Sequence, residues 1–289
     1  VLSYRHAFHA GNFADVFKHA VLALLVEALG QKPKPFFFLD THAGAGRYDL
    51  ASPRARSHPE FQDGIGRVWG RAAGAPPELA PYLEAVRALN PACSGGRAPL
   101  RFYPGSPRIA RHLLRPGDRM ALCELHPTDH GHLAAELAGD PQVGVHHRDG
   151  YEALKALLPP PERRGLVLID PAFERRDEWA RLADGLAIAG RRWPTGVLAA
   201  WYPRYAGAPV ANLQRRVAAS GAGKVLVAEL DVLPEDSPGG LNGAGMLIVN
   251  PPWQVDTRIV TALAWLHPRL AREGEGRYRV EWLAGGDGE

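Results

Sequence analysis

The sequence predicts an α/β fold: a mostly parallel sheet of seven strands with helices on both faces. Three observations carry the prediction. Seven short apolar runs recur along the 289 residues, too uniformly hydrophobic for a sheet with one wet face. Helix-compatible segments such as HGHLAAELAG and EWARLADGLAIAG separate most of them, and that alternation gives a doubly covered sheet. Two runs also end in an aspartate at a tight turn, FFFLDTHAGAG at 36–46 and LVLIDPAF at 166–173.

The elements follow in order. Asn12 suits a helix cap, with Asp15 three residues on as a short capping-box partner. Phe13, Val16, Phe17, Ala20, Val21, Leu24 and Leu25 then repeat at helical spacing. Lys18 and His19 lie on this helix, either as a solvated basic face or as part of the site it leads into. Strand one is 36–40, and Gly44 and Gly46 fall in its turn. Residues 51–99 are rich in Ala, Pro, Gly and Arg, yet carry two helical faces: Phe61, Ile65, Val68 and Trp69, then Leu79, Leu83, Val86 and Leu89. They read as an inserted helical subdomain within a single domain spanning 1–289. Strands are expected at 120–125, 143–147, 166–170, 196–202, 224–230 and 246–250, the last two joined by PEDSPGGLNGAG and the final one antiparallel. There is no internal repeat.

Bulk properties bound the function classes. Hydrophobic content of 46% and charge of 22% are ordinary for a globular protein. The net charge of +3 and pI of about 9.0, carried mostly by arginine, fit a nucleic-acid partner without requiring one. Cys93 and Cys123 give neither a disulfide framework nor metal spacing, which points to a reducing cytoplasm. The longest apolar stretch, AVLALLVEALG at 20–30, is interrupted by Glu27, so no membrane span is expected. The first residues lack the apolar centre of a signal peptide.

Ligands of such sheets bind beyond the carboxyl ends of the strands. Strand one ends in Asp40, His42, Gly44 and Gly46, strand two in Glu124, strand three in Asp149 and Gly150, and strand four in Asp170. Glycines permit close backbone approach, Glu124 can accept both hydroxyls of a ribose, and Asp149 can meet an adenine. A lone G-x-G fits S-adenosylmethionine (SAM) and other nucleotides equally, while the missing G-x-G-x-x-G counts against NAD. Asp170, Pro171, Ala172 and Phe173 are more specific. An exocyclic nucleobase amine is a poor nucleophile because its lone pair is delocalised. Accepting its N–H bonds from the Asp170 carboxylate and the Pro171 carbonyl stabilises charge appearing on nitrogen. Phe173 can stack on the base, worth about 1–3 kcal/mol, against a few kcal/mol for unstacking it. The plainer reading is an Asp-Pro turn with a core phenylalanine. Together the two turns suggest a SAM-dependent methyltransferase acting on a nucleobase amine. Asn250, Pro251, Pro252 and Trp253 match an amine-methyltransferase signature better letter for letter, but follow the last strand and are expected to form a structural turn. His126, His130 and His132 lack zinc spacing and read as a solvated helix, so no metal is expected.

YRHAFHAGNFADVFKH at 4–19, LDTHAGAGRY at 39–48, YPGSP at 103–107, ELHP at 124–127, LIDP at 168–171, WYP at 201–203 and IVNPPW at 248–253 together resemble one family, collinear over nearly the whole chain. It is the J-type bacterial large-subunit ribosomal RNA adenine-N6 methyltransferases. The resemblance implies a Rossmann-like class I methyltransferase. It also implies a monomeric cytoplasmic enzyme that uses SAM to methylate one flipped-out adenine of 23S rRNA before ribosome assembly buries it. By position, the family's SAM contacts fall on His19, His42, Ser106, Glu124, Asp149 and Gly150, and its catalytic acceptor falls on Asp170. Tyr4, within the 1–11 tail, matches a residue implicated near the RNA, with His6 and Lys18 as neighbours. The family usually has proline and tyrosine where this chain has Ala172 and Phe173. Phenylalanine keeps the stacking face and loses a hydroxyl, while alanine loses the fixed φ, so a more flexible base clamp is expected. The competing readings are a DNA adenine methyltransferase, a catalytically silent RNA-binding module on the same fold, and a nicotinamide-dependent oxidoreductase.

Overall fold

Helix α1 (Phe13–Gly30) begins where Asn12, in extended conformation, accepts the Asp15 N–H on its side chain at 2.9 Å. Nearly every residue of α1 is buried, including Asp15, Lys18 and His19, as befits a helix that is apolar almost all round. The structure, a computed structural model, describes residues 5–91, 100–221, 223–272 and 275–285. Strand β1 (Phe37–Asp40) is wholly buried in the interior of the main sheet. Its alternate side chains serve opposite faces: Phe38 joins the core shared with α1, while Phe37 and Leu39 join the other core.

After the glycine turn, β2 (Arg47–Asp49) leaves the main sheet. It is followed by α2 (Pro53–Ser57), which the apolar spacing does not predict, and by α3 (Ile65–Trp69) and α4 (Ala80–Ala88), both shorter than it predicts. Phe61 and Leu79 lie in 3₁₀ turns instead. Residues 92–99 lie outside the described residues. Strand β3 (Phe102–Pro104) pairs back on β2, and α5 (Ser106–Leu113) places Ser106 at its first position.

The doubly wound part then proceeds through β4 (Arg119–Cys123), α6 (Pro127–Glu136), β5 (Val143–His146), α7 (Gly150–Leu157), β6 (Gly165–Ile169), α8 (Glu178–Arg192), β7 (Val197–Arg204), α9 (Val210–Ala218) and β8 (Val225–Asp231). Strand β9 (Gly243–Val249), α10 (Val255–Leu270) and β10 (Tyr278–Ala284) complete it. The sheet order is β10-β8-β9-β7-β6-β1-β4-β5. From β1 the chain spreads one way through parallel β4 and β5, then returns to the other side through parallel β6 and β7. The switch point is the β1–β6 crevice, where an open α/β sheet takes its ligand.

Strand β9 inserts antiparallel between β7 and β8, as expected. Its carboxyl end therefore lies at the opposite edge of the sheet from that of β1. The NPPW segment is a turn there: Asn250, at φ +52°, donates from its side chain to the Pro194 and Gly196 carbonyls. Trp253 is 78% exposed. Strand β10 is an eighth strand beyond the seven expected, antiparallel on the outer edge of β8. No helix of the described residues is long and apolar enough to cross a membrane.

Candidate active site

The carboxyl ends of β1, β4, β5, β6 and β7 open on a cavity of about 530 Å³. At the β1–β6 switch point the chain is stitched by Thr41, which donates its N–H and its hydroxyl to the Leu168 carbonyl at 3.1 and 2.9 Å. One half of the cavity is built around Glu124. The Gly44 N–H donates to one carboxylate oxygen at 2.8 Å and the His126 N–H to the other at 2.7 Å. Burial raises the Glu124 carboxyl while these two N–H groups pull it down. Gly44 has φ +61°, and a β-carbon there would sit 2.3 Å from the Tyr48 hydroxyl, so only glycine is accommodated. Asp149 caps α7, accepting the Tyr151 and Glu152 N–H groups at 2.8 and 3.2 Å, and pairs with Arg181 at 3.1 Å. Burial opposes its ionisation, but these partners hold the carboxyl below the usual range. A β-carbon on Gly150 would collide with the Thr41 carbonyl at 2.1 Å.

Under this half, Asp40 is fully buried and accepts the Ser106 hydroxyl at 2.6 Å and the His42 N–H at 3.1 Å. Burial, reinforced by Asp170, pushes it up to about 7 despite the Ser106 bond. His19 lies 2.8 Å from the Tyr103 hydroxyl and is lowered to about 3 by burial, against the pull of Asp15. His42, on the wall, is lowered to about 4 by desolvation, against the pull of Asp170 and Asp149. Both imidazoles are neutral at pH 7. Because His19 prefers neutrality in the fold, its contribution to stability is present above pH 6.5 and fades as pH falls towards 3. The melting temperature is expected to drop on acidification from pH 6.5 to 4, and less so in His19→Gln. Calorimetric melting across that range checks this.

The other half of the cavity surrounds Asp170. Lys18 donates to Asp170 Oδ2 at 2.6 Å and to Asp15 Oδ1 at 2.9 Å. Burial works against the Lys18 ammonium, but the two carboxylates hold its pKa above the ordinary value. Asp170 Oδ1 accepts no hydrogen bond among the described residues. Asp15, 1% exposed, also accepts the Gly11 N–H at 2.9 Å and lies 2.8 Å from His6 Nε2. Burial would raise its carboxyl, but His6, Lys18 and His19 hold it well below the usual range. Phe173 has φ +52°, a conformation costing about 1–3 kcal/mol for such a residue. Its ring is held edge-on by Trp179 at 4.8 Å and Trp201 at 5.9 Å. Trp201 lines the cavity, and its buried indole N–H finds no acceptor among the described residues.

The cavity thus brings together His6, Lys18, His19, His42, Gly44, Ser106, Glu124, Asp149, Gly150, Asp170, Pro171 and Phe173. Gly46 is not on its wall: it packs towards Leu133, and its carbonyl accepts the Gly105 N–H that ties the turn to α5. Tyr4 lies outside the described residues. Sequence reasoning gave no role in the site to Asp15, Arg181 or Trp201. The i, i+3 spacing of Asp15 and Lys18 on a buried helix was the available signal for the first.

Comparison with known proteins decides the kinship. The family model described as "Ribosomal RNA large subunit methyltransferase D, RlmJ" matches residues 33–284. The chain belongs to this family. Ribosomal RNA large subunit methyltransferase J of Escherichia coli K12 is 44% identical over 98% of this chain and 99% of that protein. Its namesake in Haemophilus influenzae is 42% identical over the same shares. A crystal structure of a Legionella pneumophila protein superimposes with a TM-score of 0.87 at 36% identity, covering 96% of this chain and 99% of that one. As an RlmJ-family member the chain is a methyltransferase, and SAM is its expected cofactor. The donor set fits that group. Glu124 suits a ribose diol, the walls carry eight carboxylates against the three cations Lys18, Arg175 and Arg181, and His19 and His42 are neutral. A sulfonium and an ammonium meet attraction there.

Proposed function

We propose that this protein methylates the N6 amine of one adenine in 23S ribosomal RNA, on a base flipped into the cavity. The observation that carries the reading is the single cavity shared by Asp170 and the Glu124–Gly44 half, with Phe173 beside Asp170. SAM supplies the methyl group when bound. His19, His42, Gly44, Ser106, Glu124, Asp149 and Gly150 hold that cofactor, with Asp170 at the border of the two halves and Gly46 shaping the turn behind Gly44. The free Oδ1 of Asp170 and the Pro171 carbonyl accept the amine N–H bonds, steering the nitrogen lone pair and stabilising the charge that develops on it. Phe173 stacks on the base. Lys18, on Oδ2, fixes Asp170 in rotation. His6 and Lys18 stand on the RNA side, and Tyr4 is assigned to RNA contact. In this reading 1–289 is one domain, 51–99 an inserted helical subdomain and 1–11 a tail beside the substrate. The protein acts as a cytoplasmic monomer on rRNA not yet buried by assembly.

The test is incubation with labelled SAM and protein-free 23S rRNA lacking the modification, followed by mapping of N6-methyladenine. Label at one adenine N6 is expected. Transfer to duplex DNA in preference to RNA, or no transfer with RNA bound, would replace this reading by one of its competitors. Ala172 is exposed and its N–H makes no hydrogen bond among the described residues, so proline there removes none of these and restores a fixed φ. Single-turnover methylation by Ala172→Pro is expected to be no slower than wild type.

A further inference from the structure

The walls of the cavity are acidic, while exposed arginines stand in the segments beside it. Eight carboxylates against three cations make the interior repel phosphate. A base in a polynucleotide arrives with a phosphate on either side, and these cannot follow it inward. Most arginines of the fold are already committed: Arg181 to Asp149, Arg108 to Glu136, and Arg204 to Glu229 and Asp231. Four exposed ones, in segments next to the lining residues, make no ion pair or side-chain hydrogen bond among the described residues: Arg54, Arg56, Arg148 and Arg176. Arg54 and Arg56 lie on α2, which packs on the His6–Phe8 turn, with the Phe8 ring edge-on to His58 at 6.3 Å. Glu60, just beyond α2, binds His9 and Asn12 and lines the cavity. Arg148 and Arg176 adjoin the wall residues Asp149 and Arg175. Arg163 and Arg191, likewise without such partners, lie at the far edge of the sheet near the amino ends of β6 and β7, Arg87 stands over the Trp69 ring, and Arg272 follows α10 beside Val232 at the end of β8.

We propose that Arg54, Arg56, Arg148 and Arg176 form a phosphate-gripping rim that holds the RNA backbone flanking the target nucleotide while its base enters the acidic cavity. The inference rests on the reading of the protein as an RNA methyltransferase. Guanidinium groups without internal partners can meet phosphate in two-pronged fashion, and their exposure makes the grip salt-dependent.

The experiment compares wild type with Arg54→Gln/Arg56→Gln and Arg148→Gln/Arg176→Gln. It follows methylation of protein-free 23S rRNA over a range of salt, and measures SAM binding separately. Each double variant is expected to raise KM for RNA roughly tenfold at about 0.15 M salt, and to flatten the log–log salt dependence of RNA affinity by about one to two. The kcat at saturating RNA and the SAM affinity should stay at wild-type values. Unchanged KM and salt slope in both active variants, or a loss confined to kcat, overturns the rim. A wild-type protein that methylates no RNA fails the parent reading instead.

Discussion

Asp170→Asn loses methyl transfer by roughly 10²–10³-fold in kcat, the usual cost of removing one preorganised electrostatic partner of a transition state, while still binding SAM. The carboxamide fits the same space, and its oxygen can still accept from Lys18 or from the substrate amine. It no longer supplies negative charge where the amine nitrogen becomes positive. Glu124, Asp149 and Ser106 are untouched, because their partners are Gly44, His126, Arg181 and Asp40. Calorimetric titration with SAM should therefore match wild type, and single-turnover transfer to RNA should not. A variant that transfers at the wild-type rate would move the chemistry away from Asp170.

The contrast between the two Pro-containing turns shows what a sequence can carry. NPPW matches the amine-methyltransferase letters more closely than DPAF. Strand direction separates them, since β9 runs against β1 and delivers Asn250 to the far edge, where its side chain is consumed by the Pro194 and Gly196 carbonyls. That direction could be anticipated only from the fold class. The strand-end acids Asp40, Glu124, Asp149 and Asp170 were legible because each closes a continuous apolar run. Strand β10 was not, though Tyr278, Val280 and Trp282 alternate with Arg279 and Glu281. It is a partly exposed edge strand held in register by pairing with β8, and no continuous apolar run marks it. Asp15 was legible only as a cap partner. Its side chain instead joins His6, Gly11 and Lys18, contacts that depend on how the preceding turn folds back over α1. Trp201 and Arg181 appear as ordinary letters in a strand and a helix, and gain meaning only from what stands opposite.

Lys18→Met should damage both stability and activity, and the two losses can be pulled apart. Lys18 is the buried cation between Asp15 and Asp170. Removing one partner of a buried ion pair costs about 3–5 kcal/mol, because the other charge is left uncompensated. For a chain of this size that is a fall in melting temperature of roughly 10 °C. Asp15 bears most of it, being 1% exposed, whereas the Asp170 side chain is 14% exposed and partly solvated. The double variant Lys18→Met/Asp15→Asn removes both buried charges and leaves the Gly11 N–H an acceptor, so most of the lost melting temperature should return. Activity should not return with it. Asp170 would still lack the ammonium that fixes its Oδ2 and turns its Oδ1 towards the amine. Thermal melts and single-turnover transfer on wild type, both single variants and the double variant give the four corners of the comparison. Recovery of methyl transfer together with stability would reduce Lys18 to a structural counter-ion and leave the orientation of Asp170 to its own turn.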